Sequence, residues 1–395
     1  MVQKTLSICT QIGLLALLIG CNDLLPTAPA ENELLDGPVE GLTPEQAAIF
    51  IAGDIAFNDE IFTPQTGLGP IFVATSCGTC HAGDGKGHPF TTLTRFGQTD
   101  ATGNKFLNLG GPQLQHRAIP GFQPEQIPAG ATSAKLLPPA TTGLGFLELI
   151  PDADLLALED PKDLDGDGIS GRVNLIDLPP YVTPPDWAIT INGKYIGRFG
   201  KKAAVYNLLQ QTAIAYNQDI GITSTLEPRD TYSGLVIDPE VSDKTINEVV
   251  FYLQTLKAPI PRTSLVEGKN LMESTGCTKC HVAQFQTTYS TIAPLSNRII
   301  YPYTDLLLHD MGPGLDDGYT EGSALTSEWR TPPLWGLGLS KNSQGGKYFL
   351  LHDGRARSIE EAILMHGGEA QSSKEAFETL TSTQKKQLIQ FLESL

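Results

Sequence analysis

Apolar positions along the chain fall on helical stripes in a few separated segments. In "KTINEVVFYLQTLKAP", Ile246, Val249, Val250 and Leu253 share one face, and "TQKKQLIQFLESL" repeats the device with Leu388, Phe391, Leu392 and Leu395. Thr43, Pro44 and Gln46 spell a capping box that opens a helix over "PEQAAIFIAGDIAF". Ser264 and Glu267 spell another before "LVEGKNLMEST", which Gly276 stops. Ser358 and Glu361 open a further helix in "RARSIEEAILMHGGEA", ended by Gly367 and Gly368. On that helix Ile359, Ala362, Ile363 and His366 face one way, while Met365 points to the side. Alternating strand patterns are scarce, so the expected fold class is mainly α.

Long stretches between these helices are rich in Gly and Pro, 40 and 28 residues in all. Such loops suit helices wrapped around a large non-protein group rather than around their own side chains. The amino terminus carries Lys4, then an apolar run from Ile12 to Ile19 that closes on "LLIGC" at Cys21. A span needs about 20 apolar residues, so this run reads as an export signal, not an anchor. It resembles the lipobox of bacterial lipoproteins, which makes Cys21 the lipidated first residue of the mature chain. The expected division is a signal at 1–20, a polar tether at 21–41, an N-terminal domain with inserted loops at 42–258 and a C-terminal domain at 259–395. A lipid at Cys21 places the soluble body on the periplasmic side of a bacterial membrane, in an oxidising compartment. The formal charge of −17 argues against nucleic acid or an anionic membrane surface as partner, which leaves the lipid as the only membrane contact.

Two short stretches carry the chemistry. "TSCGTCHAGDG" holds Cys77, Cys80 and His81, and "TGCTKCHVAQF" holds Cys277, Cys280 and His281. A structural zinc site would have to gather four thiolates from pairs far apart in the chain, and a redox dithiol needs no histidine after its second cysteine. In Cys-x-x-Cys-His the two thiols can form thioethers with haem vinyl groups while the imidazole turns back to bind iron. The doubled motif therefore predicts two covalently bound c-type haems, with His81 and His281 as proximal ligands. For a sixth ligand the best placed candidate is His366, at the centre of its apolar stripe, with Met365 as runner-up. His309 and His352 read as orienting, hydrogen-bonding residues at turns.

Several longer stretches, "GPQLQHRAIPG", "DLDGDGISGR", "GRFGKKA", "LLQQTAIAYNQDIGITS", "PYTDLLLHDMGPGL", "EWRTPPLWGLGL" and "FLLHDGRARSIEEAILMHGGEA", resemble the bacterial di-haem oxidoreductase family, also labelled peroxidases or thiol oxidoreductases. The resemblance runs from about Leu42 to the C-terminus and extends to the di-haem cytochrome c peroxidases. It implies two cytochrome c-like haem domains, a peroxide-reactive N-terminal haem and a C-terminal haem that stores an oxidising equivalent. It also puts His366 where those peroxidases have the C-terminal haem's sixth ligand, usually methionine. Imidazole in its place favours a low potential. One departure stands out: relatives commonly carry tryptophan where this chain has Lys201, which leaves Phe199, Trp187 or Tyr206 to carry electrons between haems.

Peroxide heterolysis needs an open iron and an acid/base group beside it. The candidates after the first haem motif are His116 and Glu125, with Arg117 to stabilise charge, and His88 could cap the iron in a resting state. Asp163, Asp165 and Asp167 are spaced as in a calcium loop with Gly168 at its turn, but Asn174 stands where the bidentate glutamate belongs. The resemblance also implies calcium between the haem domains. The expected activity is two-electron reduction of hydrogen peroxide or another small oxidant, replenished by a small donor protein such as a cytochrome or cupredoxin. The rival readings are a pure electron-transfer cytochrome and an oxidase of a thiol or protein side chain.

Overall fold

Seven helices of six residues or more occur among the described residues, which in this computed structural model are 34–97, 104–109, 111–261 and 265–395. They are α1 (Pro44–Asp54), α2 (Leu208–Ala215), α3 (Asp243–Thr255), α4 (Val266–Ser274), α5 (Ile359–Leu364), α6 (Gln371–Thr379) and α7 (Ser382–Ser394). The export signal, Cys21 and Ser264 lie outside the described residues. At α1 both halves of the predicted box form: Thr43 Oγ1 accepts from the Gln46 amide at 3.2 Å, and Gln46 Oε1 accepts from the Thr43 amide at 3.0 Å. At α5 Ser358 Oγ caps the Glu361 amide at 3.0 Å, but the Glu361 carboxylate accepts from the Arg357 amide rather than from Ser358.

The predicted stripes are the packed ones. Ile246, Val249, Val250 and Leu253 are buried in the largest apolar cluster, where α3 meets α1 and α2. Burying each such side chain is worth about 1.5–3 kcal/mol. The crossing of α1 over α3 is close because position 53 is glycine; a Cβ there would sit 2.1 Å from the Glu248 carbonyl oxygen. A second cluster joins α4, α5 and α7 through Met272, Ile359, Leu388, Phe391 and Leu392. Phe285, Leu295, Ile300 and Trp335 come from late in the chain yet belong to the first cluster, and residues 35–395 form one compact body. No helix among the described residues is long and apolar enough to cross a membrane.

The expectation of a mainly α fold is not met. Besides the helices, the described residues hold eleven short strands, gathered in several small antiparallel sheets. Leu93–Gly97 pairs with Thr132–Leu136, Leu308–Asp310 with Glu328–Arg330, and Leu175–Ile176, Lys194–Ile196 and Thr190–Ile191 make a three-stranded sheet. These strands are two to five residues long, too short for a period of two to declare itself in sequence. They satisfy the backbone hydrogen bonds of loops that composition alone marks only as Gly- and Pro-rich.

Candidate functional site

Both Cys-x-x-Cys-His turns open into one cavity of about 400 Å³ in the interior. Each is built the same way: the histidine amide donates to the carbonyl oxygen of the first cysteine at 3.0 Å, in the 77–81 turn and in the 277–281 turn alike. Gly276, at φ 79°, ends α4 in the left-handed region and turns the chain into the second motif. Ser76 and Thr79 brace the first turn through their hydroxyls, 2.7 Å apart. The four thiols are unbridged and all line the cavity. Burial pushes the thiols of Cys77 and Cys80 up to about 12, so they are neutral and undissociated near pH 7.

The three histidines predicted as iron ligands share one arrangement. Nδ1 of His81 bonds the Pro139 carbonyl oxygen at 3.0 Å, Nδ1 of His281 that of Tyr303 at 3.0 Å, and Nδ1 of His366 that of Ala362 at 2.7 Å. Carbonyl oxygens only accept, so Nδ1 carries the proton and Nε2 is left with its lone pair. All three side chains line the cavity. Burial lowers His81 and His281 to about 4 and lowers His366 as well, which keeps the rings neutral. A neutral imidazole oriented by a backbone carbonyl is the form that binds a metal. Met365 caps the end of α5 and packs into the second apolar cluster away from the cavity.

The remaining wall is largely apolar, with Leu136, Leu147 and Leu253 on the side of the first motif and Leu334, Leu388 and Leu392 on that of the second. Free thiols, neutral imidazoles and an apolar wall fit a covalently held tetrapyrrole on each motif.

Other predicted residues stand elsewhere. None of His116, Arg117 and Glu125 lines the cavity. Glu125 instead closes its own loop, accepting from the Gln115 amide at 2.6 Å, and burial raises it to about 7. Arg117 lies over the Phe72 ring at 4.9 Å, and His116 is exposed. His88 accepts from the Phe90 amide at 3.3 Å and faces Phe349. Trp187 and Tyr206 are also off the cavity, whereas Phe199 and Lys201 line it. In the acidic loop Asp163 and Asp165 meet Asp160, their carboxylate oxygens lying within 4.8 Å of one another. Asp167 instead pairs with Lys279 at 2.9 Å, and Asn174 is buried, with its amide donating to the Lys202 and Glu321 carbonyl oxygens.

The cavity also holds a carboxylate that the sequence reading missed. Asp219 lies in the π turn Tyr216–Ile220 that continues α2, accepts from Gln113 Nε2 at 2.9 Å, and is raised to about 6 by burial against a smaller opposing effect of Arg95. Its effect on both Cys77 and Cys80 places it at the first motif. Only the π turn could have marked it, and "AYNQDIG" carries no sequence signal for one.

Beside the second motif, His309 bonds Asp305 at 2.8 Å and Glu369 at 2.7 Å, with Nδ1 3.7 Å from Cys280 Sγ. Burial opposes its charge, but those hydrogen bonds outweigh it and raise His309 to about 12. His352 stacks on Trp329 with centroids 3.7 Å apart and bonds Asp317 at 2.8 Å. Both histidines make the hydrogen bonds expected of them, but only His352 sits at a turn; His309 lies in the strand Leu308–Asp310.

No curated protein matches the chain. A solved chain of Kuenenia stuttgartiensis hydrazine synthase, pressurised with xenon, is similar over 94% of this chain and 98% of its own, at 14% identity and a TM-score of 0.39. A family model matches residues 134–395, which include the second motif, Asp219 and His366. The chain belongs to the family that this model describes, "Di-haem oxidoreductase, putative peroxidase", an oxidoreductase family whose cofactor is haem.

Proposed function

We propose that the protein is a c-type di-haem oxidoreductase that reduces hydrogen peroxide outside the cytoplasm. The observation that carries this reading is a single cavity with both Cys-x-x-Cys-His turns on its wall and a protonatable carboxylate, Asp219, beside the first. Cys77 and Cys80 would hold one haem by thioethers and Cys277 and Cys280 the other, with His81, His281 and His366 as nitrogen ligands. Bound there, the two haems would supply the two electrons that, with two protons, convert hydrogen peroxide to two waters.

The chain's own residues would do the rest. Asp219 takes the proton from one peroxide oxygen and returns it to the other, so that water and not hydroxide departs. Gln113 holds the Asp219 carboxylate in place from outside the cavity. His366 would supply a further nitrogen ligand on the side of the second motif, which would leave peroxide to the side of the first. A small, soluble electron donor such as a cytochrome or cupredoxin replenishes the electrons. The Lys4-to-Cys21 pattern supports a lipid-anchored, periplasmic location.

The test is spectroscopic. Holoprotein should contain two haems by pyridine haemochrome. Half-reduced, it should show one high-spin iron whose spectrum changes on adding peroxide. His366→Ala should convert one low-spin haem to high-spin and leave the other as it was. Two low-spin irons indifferent to peroxide in the half-reduced wild type would instead make this an electron-transfer cytochrome.

A further inference from the structure

The chain carries 27 Lys and Arg against 44 Asp and Glu, yet its cavity inverts that ratio. Five cationic side chains line it, Lys86, Arg95, Lys201, Arg330 and Lys374, against two carboxylates, Asp219 and Glu321. Arg95 and Glu321 are paired with each other. Lys86 and Lys201 make no side-chain hydrogen bond or ion pair among the described residues. Arg330 is held by its Nε on the Gly200 carbonyl oxygen at 2.9 Å and by Nη1 on that of Thr331 at 3.1 Å, and Nη2 bonds nothing there. The Arg330 amide also donates to the Lys201 carbonyl oxygen at 2.9 Å, so the two positions are tied together by backbone.

Cations turned into a largely apolar cavity and not directly paired with a carboxylate are costly unless something neutralises them. Here they also oppose one another. Lys201 is lowered to about 7 by burial and then by Lys86 and Arg330, against a smaller opposing effect of Asp353, and Lys86 to about 8 by burial. The cluster reaches from one motif to the other: Lys86 follows His81 in the same segment, and Arg330 pairs in its sheet with Leu308, next to His309, whose Nδ1 is 3.7 Å from Cys280 Sγ. A ligand that satisfies such a place has more than one negative charge and an apolar body. Haem has that form, with two carboxylates on an apolar ring.

We propose that Lys86, Lys201 and Arg330 form a shared seat for the haem propionate carboxylates, placed between the two haem-binding motifs. The proposal rests on the haem reading above. Ammonium and guanidinium groups would bind carboxylate oxygens through charge-assisted hydrogen bonds, and Arg330, already braced by two carbonyls, offers Nη2 at little entropic cost. Lys201, at the place where the resemblance leads one to expect tryptophan, then serves as a charge that binds and not as an aromatic that conducts. Its positive charge favours the ferrous state of the neighbouring iron.

The experiment uses holoprotein matured with haem ¹³C-labelled at the propionate carboxylates and compares infrared difference spectra of oxidised and reduced states. Haem content is measured first on every sample, so loss of the haem reading shows as missing haem rather than as an unmoved band. In Lys201→Met, Lys86→Met and Arg330→Met the labelled carboxylate band should shift. In Lys201→Met the ferric-to-ferrous ratio at fixed ambient potential should rise about tenfold. Lys201→Arg keeps the charge, so that ratio should hold while the band still moves, because a guanidinium engages a carboxylate through a different set of N–H groups. An unmoved band in the Arg variant, which is the one least prone to misfold, overturns the proposal. So does a wild-type spectrum whose redox response follows added inorganic phosphate at constant ionic strength, since the occupant would then be a free anion.

Discussion

Replacing Asp219 with asparagine is expected to slow peroxide reduction by about 10²- to 10⁴-fold, the usual cost of losing a general acid/base, while haem content and the resting spectra stay unchanged. Asparagine keeps an oxygen that can accept from Gln113 Nε2, so the side chain should remain where it is. The pH dependence separates this from a packing effect. The carboxylate, raised to about 6 by burial, must be ionised to take the first proton, so the wild-type rate should climb with pH through about 6 and then level. In the variant that limb should vanish.

Stability should move the other way. A carboxyl whose folded pKa lies above its ordinary 3.8 binds its proton more tightly in the folded state, and that contribution is lost as pH rises from 3.8 through about 6. At pH 7 the asparagine variant should therefore be no less stable than the wild type, as expected where a side chain is kept for chemistry at some cost to the fold. A variant that turns over peroxide within tenfold of wild type, or that keeps the limb near pH 6, would show that the proton passes elsewhere. Glu125, raised to about 7 but away from the cavity, would be the next group to change.

What could be read from the sequence followed from how local each signal is. The two Cys-x-x-Cys-His motifs, the stripes of α3 and α7 and the cap of α1 are contained in windows of five to sixteen residues; both motifs form matching turns, the stripes are buried and the cap closes. His366 was expected on the helical stripe, but α5 ends at Leu364 and His366 follows its cap, reaching the cavity with Nδ1 on the Ala362 carbonyl oxygen. Asp219 was not legible, because what sets it apart is made by Gln113 and Arg95, more than a hundred residues away, and by burial. The choice of His116 and Glu125 failed to reach the cavity for the complementary reason. Both follow the first motif in sequence, but Gln115, just before His116, turns inward to the Ile71 and Asn217 carbonyl oxygens and fixes that loop outside. The small sheets were illegible for want of length, and the cation cluster because Lys86, Lys201 and Arg330 become neighbours only once the chain has folded.

Asp152→Asn is expected to destabilise the protein by about 3–5 kcal/mol, because it strands a buried charge. Arg198 and Asp152 are 1% and 0% exposed and form an ion pair with no access to water. Asp152 also accepts from the Ile189 amide at 2.7 Å, and the Arg198 guanidinium lies over the Trp187 ring at 5.2 Å with Nη1 unpartnered. Removing the carboxylate charge leaves Glu148 as the carboxylate still acting on the guanidinium. Arg198 directly precedes Phe199 and Lys201 in the cavity wall, and its amide bonds the Val205 carbonyl oxygen at 2.8 Å, so the same strain should loosen the segment that carries both residues. The double variant Asp152→Leu, Arg198→Met removes both charges and should recover most of the loss, since apolar replacement of a whole buried pair is often neutral. Chemical denaturation of the wild type, Asp152→Leu, Arg198→Met and their combination, with Asp152→Asn measured beside them, gives the coupling directly. A loss below about 1 kcal/mol in Asp152→Asn would mean that water reaches the pair, and the double variant should then be the less stable of the two.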